Sequence, residues 1–330
     1  MKCRALPLYS FAHFWVDFSC ALLLLGKVAP SGAALSVFLL YNFFAFAVQM
    51  PLGLLCDRLG GEKYFAALGC ALAALAWAFG GMTAAVVAGL GNALFHVGGG
   101  VYTLNTSDQC APLGVFVSPG AIGIYLGALS GVQAAVPMAA VIVVLLLLAC
   151  AILRWGGGVP GEEFNPVPAG GSYAIAALLA LFAVVVIRSL MGGMFQFPWK
   201  GNLGLPLAFA VAGGKAMGGI LADRFGRRVT AGASLIFAAA GFLFSNFPVP
   251  GLLAVFAFNM TMPLTLWGAG RILKGAKGFA FGLLTFALFL GSLPMLLGIP
   301  LAQGGGVLYA VGAVGSLLLL NLGLRGEERQ

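Results

Sequence analysis

GLLCDRLGGEK at residues 53–63 and GGILADRFGRR at residues 218–228 share one pattern: a glycine, three residues, Asp-Arg, one residue and a second glycine. Asp57 and Asp223 lie 166 positions apart, and that offset carries the first apolar run of the chain onto the seventh. A weaker echo pairs Asn92 with Asn259, one position out of register. The sequence reads as two related halves, each with its polar turn between a second and a third apolar run.

Outside these turns the chain is greasy. Of its 330 residues 61% are hydrophobic and only 8% charged, with a mean hydropathy of +1.05, whereas soluble domains carry about 25% charged residues. This composition defines an all-α integral membrane protein. Twelve runs match the roughly 20 residues needed to cross a bilayer, near 8–26, 33–55, 64–82, 84–104, 113–131, 134–153, 172–195, 201–222, 230–247, 250–269, 278–298 and 304–323. They predict two six-helix pseudo-symmetric bundles: an N-terminal bundle over 1–154, a linker over 155–171 and a C-terminal bundle over 172–330. The connections leave no room for a soluble domain. The linker, rich in glycine and proline, reads as flexible and able to permit rocking. Residues 1–20 open like a signal peptide with Lys2 and Arg4, but His13 and Asp17 interrupt the apolar region, so the segment is expected to remain as the first span.

Thirteen of the 17 Lys and Arg residues fall on one side if the N-terminus is cytoplasmic; only Lys27 and Lys200 fall outside, and Arg188 and Lys215 lie within spans. The asymmetry predicts both termini in the cytoplasm of a multi-pass cell-membrane protein. It explains the net charge of +8 without nucleic acid. With both turns on the same side, the repeat is parallel, its axis along the membrane normal.

The two turns resemble the signature loop of the major facilitator superfamily, Gly-x-x-x-Asp-Arg-x-Gly followed by basic residues. The second copy matches throughout with Gly219, Asp223, Arg224, Gly226, Arg227 and Arg228. The first keeps Gly53, Asp57, Arg58 and Gly60 but has Gly61 and Glu62 where cations are usual. Physically, the glycines let two helices approach, the aspartate can sit against the N-terminus of a following helix, and the arginine can bridge to neighbouring ends. Such a cluster suits a cytoplasmic gate. AHFWVD in the first span, GNALFHVGGG at 91–100 and IRSLMGGMFQFPW at 187–199 resemble the fosmidomycin-resistance group of that superfamily. This resemblance implies efflux by exchange with protons. VFVSPGAIGIYLG at 115–127 only partly resembles the proline-glycine motif of antiporters, with Ser118 where glycine is usual.

A charge at the bilayer centre costs about 2.5–3.5 kcal/mol even on permissive scales, so the five ionisable residues well within spans stand out: His13, Asp17, His96, Arg188 and Lys215. His13 and Asp17, four apart, share one helix face. By resemblance to the superfamily, spans one, four, seven and ten line a central cavity, which would gather the first four of these residues. The expected roles are proton coupling for Asp17, His13 and His96, and substrate binding for Arg188, Asn92, Asn259 and Lys215. Each has a plainer alternative: a static Asp17–Arg188 pair holding the halves in register, a hydrogen-bonded structural His96, Lys215 snorkelling to the cytoplasmic face, and asparagines acting as helix glue.

The predicted function is a secondary active transporter, a proton-coupled antiporter exporting a small polar or anionic solute or drug by alternating access. Alternatives are a symporter or uniporter for a nutrient, and a non-transporting sensor on a carrier fold. The expected partners are the solute, protons and lipid, with the chain a monomer. The sequence has no HExxH, metal-ligand cluster or nucleophile elbow, so no catalytic residue, metal or cofactor is assigned. Ser118 and Ser189 have no partner base from spacing. The six cysteines, Cys3, Cys20, Cys56, Cys70, Cys110 and Cys150, read as small apolar fillers. Trp155, Trp199 and Trp267 read as interfacial anchors.

Overall fold

A computed structural model describes residues 4–29, 34–133, 136–157, 161–168, 171–299 and 305–325. Lys2, Cys3 and Arg329 lie outside them. The described residues are helical almost throughout. In lipid this follows from the backbone, whose N–H and C=O groups must pair internally where no water reaches them.

Among the described residues ten helices are long and apolar enough to cross a membrane: α1 (Leu6–Val28), α2 (Ala34–Leu59), α4 (Gly81–Thr106), α5 (Ala111–Gln133), α6 (Met138–Trp155), α7 (Gly171–Met194), α8 (Gly204–Phe225), α10 (Pro248–Ile272), α11 (Lys277–Leu296) and α12 (Gly306–Leu324). At the third and ninth places stand two shorter helices, α3 (Glu62–Leu75, 14 residues) and α9 (Arg227–Leu243, 17 residues). The sequence predicts full spans there. Local chemistry shortens them. One 3-10 turn, Ala76–Ala78, follows α3 before the chain extends at Phe79, and Lys27 takes the Trp77 carbonyl at 2.6 Å. Past α9 the chain turns at Phe244 and restarts at Pro248, whose fixed φ and missing N–H suit a first helical turn.

Among the described residues three of these helices are broken along their length. A π turn, Phe43–Ala47, interrupts α2, α5 breaks at Ser118–Pro119, and α10 breaks at Met260. Such breaks release carbonyls from the helical ladder, and in lipid those carbonyls need new donors.

Within the first six helices, α1 packs on α5, and α3 on α4 and α6; within the last six, α7 packs on α11 and α12, and α9 on α10 and α12. Packing between the two sets centres on α2 with α11 and α5 with α8. Exchanging the two sets of six, so that α2 becomes α8 and α11 becomes α5, turns one pair into the other, so the repeat in sequence is a repeat in packing. Small residues make the crossings close: a Cβ on Gly123 or Gly127 of α5 would overlap the α1 backbone at Phe14 or Phe18. Large apolar side chains such as Leu147 (63% exposed) and Leu318 (68% exposed) point outward, as a lipid-facing surface requires.

Between α6 and α7, Asn165 donates its N–H to the Gly275 carbonyl at 3.0 Å, and the Arg58 guanidinium lies over the Phe164 ring at 5.1 Å. The described part of the linker thus rests against the ends of α2 and α11.

Candidate transport site and gate

Gly53 and Asp57 stand one turn apart on the face of α2 that meets α11. A Cβ at Gly53 would overlap the Gly278 carbonyl. At this close approach the two Asp57 carboxylate oxygens accept the N–H groups of Gly278 and Phe279, each at 2.8 Å. The second copy repeats the arrangement. A Cβ at Gly219 would overlap the Cys110 carbonyl, and Asp223 accepts the N–H groups of Cys110 at 2.8 Å and Ala111 at 2.7 Å. Each carboxylate satisfies donors left open at a helix N-terminus and sits at its positive dipole end.

The helix capped is not the following one, as expected from the sequence, but one from the other set of six. Gly60 at φ 68° and Gly226 at φ 93° turn the chain sharply into α3 and α9, which leaves the aspartate face turned across the molecule. The first copy closes this clasp as fully as the second despite Gly61 and Glu62. The arginines bridge outward: Arg224 lies over Phe225 at 5.3 Å, Arg227 over Trp267 at 3.7 Å, and Arg228 donates to the Leu324 carbonyl at 3.3 Å.

Deeper in the molecule, α1 and α4 bring His13, Asp17 and His96 into one buried cluster. His13 Nε2 lies 3.2 Å from Asp17 Oδ2, His96 Nε2 lies 3.8 Å from Asp17 Oδ1, and the two histidine Nε2 atoms are 2.9 Å apart. Asn92 donates its amide to Asp17 Oδ1 at 2.8 Å. Each imidazole is fixed from behind. His13 Nδ1 meets the Phe116 carbonyl at 2.8 Å, and His96 Nδ1 the Asn92 carbonyl at 2.8 Å. Carbonyls only accept, so the hydrogen-bond network assigns both Nδ1 atoms as protonated. Two neutral rings would then face each other lone pair to lone pair, and a cation between them, a proton in the simplest case, removes that repulsion. Gly120 lies against the cluster; a Cβ there would overlap His13 Nε2 and Asp17 Oδ2.

The break in α5 supplies two of the contacts. Phe116 gives its carbonyl to His13, and Val117 gives its own to the Lys215 ammonium from α8 at 3.3 Å. Ser118 donates to the Ala212 carbonyl at 2.7 Å. The Lys215 ammonium is therefore held inside the α5–α8 crossing. It lies within electrostatic reach of both Asp17 and Arg188, and it borders a cavity of about 470 Å³ between α5 and α8 that is also lined by Ala121, Tyr125, Lys200, Leu207 and Val211. Lys200 precedes α8 and donates to the Phe195 carbonyl at 2.9 Å; burial pulls its ammonium below the ordinary amine range.

Arg188 is buried on α7, with Nη1 3.3 Å from Thr261 Oγ1 at the α10 break. Among the described residues no Asp17–Arg188 ion pair forms, so a static register pair is not the explanation of these charges. Asn259 donates to the Val255 carbonyl of its own helix, as do Asn42 to Phe38 and Gln49 to Ala45. Each of these bonds stays within one helix, so none of the three amides ties neighbouring helices together through it. Gln196 is exposed, and Ser189 donates to the Leu288 carbonyl. Trp155 is 66% exposed, as an interfacial residue should be, but Trp199 and Trp267 are buried and donate to the Ser245 and Asp108 carbonyls.

Sequence reasoning passed over Gly120, the carbonyls of Phe116 and Val117, and Tyr125. Their signal in the sequence is Pro119, a helix breaker within an apolar run.

The helices, their order and the paired clasps define a polytopic helical fold built on an internal repeat, and it is the fold of major facilitator superfamily transporters. A variant of the E. coli fucose:proton symporter FucP superposes with a TM-score of 0.66 at 14% identity, over 96% of this chain and 97% of that one. FucP in the outward conformation gives 0.67 at 14% identity, over 97% and 99%. No protein-family model matches the sequence, and no curated protein does.

Proposed function

We propose that the chain is a secondary active transporter of the major facilitator superfamily, with twelve membrane-crossing segments in two six-helix bundles, residues 1–154 and 172–330, that rock about a central site. Both termini and both aspartate clasps lie on the cytoplasmic side of the cell membrane. In the conformation described the clasps are closed, and the solute is admitted from the opposite face. Asp17, His13 and His96 carry the exchanged proton. Lys215, Arg188 and the neighbouring asparagines Asn92 and Asn259 hold an anionic or polar solute, with Lys200 drawing it in. The direction proposed is export by antiport, and the working unit is a monomer.

The observation that supports this reading best is the buried His13–Asp17–His96 cluster, linked through the α5 break to a cation beside a cavity between helices of opposite halves. A protonation change there alters the charge that Lys215 feels and the hydrogen bond that holds Phe116, so it acts on the α5–α8 crossing directly. The likeness to a proton symporter favours a second reading, uptake with protons. Proteoliposomes with an imposed pH gradient separate the two: adding solute to one side dissipates protons in the opposite direction for an antiporter and in the same direction for a symporter. Asp17→Asn is expected to abolish proton-driven flux while leaving solute binding measurable. Unchanged proton-driven flux in that variant removes Asp17 from coupling.

A further inference from the structure

We propose that His13, Asp17 and His96 form a binding site for a divalent first-row transition-metal ion that favours right-angle coordination, of the Co²⁺, Ni²⁺ or Fe²⁺ kind. The sequence alone offers no metal-ligand spacing, because His96 comes from α4 and the other two from α1. The fold gathers one donor atom from each side chain, all within 4.8 Å of one another and all from buried residues.

The arrangement behind the donors is the one that metal sites use. Histidines that bind metal through one ring nitrogen usually give the other N–H to a carbonyl or carboxylate, which fixes the ring and its tautomer. His13 does so to Phe116 and His96 to Asn92, so both Nε2 lone pairs converge on the same point. Asp17 has Oδ1 held by Asn92 and keeps Oδ2 toward His13. Three hydrogen bonds therefore orient the three ligands, and none of them supplies a donor to the two Nε2 atoms.

The distances choose among metals. With metal–nitrogen bonds of about 2.05 Å, the 2.9 Å between the Nε2 atoms corresponds to an angle of about 90° at the ion, and the 3.2 Å from His13 Nε2 to Asp17 Oδ2 to about 100°. Tetrahedral zinc would set the nitrogens about 3.3 Å apart. The 3.8 Å from His96 Nε2 to the nearer Asp17 oxygen opens the third angle to about 135°, too wide for a facial set, so the three donors suit a five- or six-coordinate ion with positions left open. The inference does not depend on the transport reading, since it needs only the cluster geometry.

The test uses the full-length chain, free of any affinity tag, in lipid nanodiscs after treatment with a chelator. Titration with Co²⁺ is followed by the visible d–d absorption and by metal analysis of the washed protein. The expected result is one Co²⁺ per chain with the weak band of five- or six-coordination. Removing a ligand's orienting partner costs 10–100-fold in affinity, so His13→Ala and His96→Ala are each expected to lose at least about 100-fold. Asp17→Asn, which keeps the side-chain shape, serves as the third variant should either alanine variant lose its monodisperse profile. No site-specific Co²⁺ up to about 1 mM, or a stoichiometry unchanged by all three substitutions, overturns the proposal. Proton-driven flux measured in chelator reads the transport proposal separately: flux without metal binding sinks only the metal site.

Discussion

At Gly120 a single missing methyl group decides whether α5 can lie against the cluster. The Cα sits where any Cβ would overlap both His13 Nε2 and Asp17 Oδ2, and those atoms cannot retreat, because His13 is held by Phe116 and Asp17 by Asn92. Gly120→Ala is therefore expected to push α5 off α1 locally and to lower proton-driven flux in proteoliposomes at least tenfold. Overpacking of a tight core costs about 1–3 kcal/mol, so the variant should still insert and purify, and wild-type flux would show that the cluster tolerates the shift. His13 and Asp17 were legible as a pair from their four-residue spacing alone. Their partners were not. His96 and Asn92 reach them only because α4 packs beside α1, and the Phe116 carbonyl is available only because Pro119 breaks α5. A backbone acceptor has no letter in a sequence.

Among the helices, the two clasps are the junctions at which motion would begin. Each joins a carboxylate to two N–H groups at a helix end, an interaction that contributes about 1–2 kcal/mol through the dipole when partly buried. Asp57→Asn and Asp223→Asn should each shift the closed-to-open balance by a factor of about 5–30. The chain carries its own reporters: Cys56 adjoins Asp57, Cys110 donates its N–H to Asp223, and both thiols are about 1% exposed or less. In a Cys150→Ala background, alkylation of Cys110 is expected to be slow in the parent and at least several-fold faster in Asp223→Asn, with Cys56 responding in the same way to Asp57→Asn. Equal rates would mean that the carboxylates do not hold the ends together. The sequence carried the motif, its two copies and the close approach of helices. It pointed the aspartate at the wrong helix, because spacing reveals that a carboxylate faces a helix end but not which helix the turn at Gly60 or Gly226 brings opposite.

For the molecule as a whole, composition sufficed for the class and hydropathy for the order of the helices. Full length failed at α3 and α9, where apolar letters continue past the point at which turn chemistry stops the helix. The cross-contacts α2–α11 and α5–α8 are related by the repeat, so a covalent link across one should act like a link across the other. Disulfide pairs placed at the clasp ends of either crossing are expected to block solute exchange in both cases and to be relieved by reductant. Blockage by one pair only would argue against symmetric rocking.

Phe164 and Asn165, in the segment between α6 and α7, are tied to the ends of α2 and α11. With Asn165 bonded to Gly275 and Phe164 beneath Arg58, separating the inner ends of α2 and α11 must peel it away, breaking one backbone bond and one cation–π contact of about 1 kcal/mol each. That makes the connector a weak spring. It sets a threshold for opening without contributing to the solute site, and Phe164→Ala should quicken exchange severalfold while leaving solute affinity as it was.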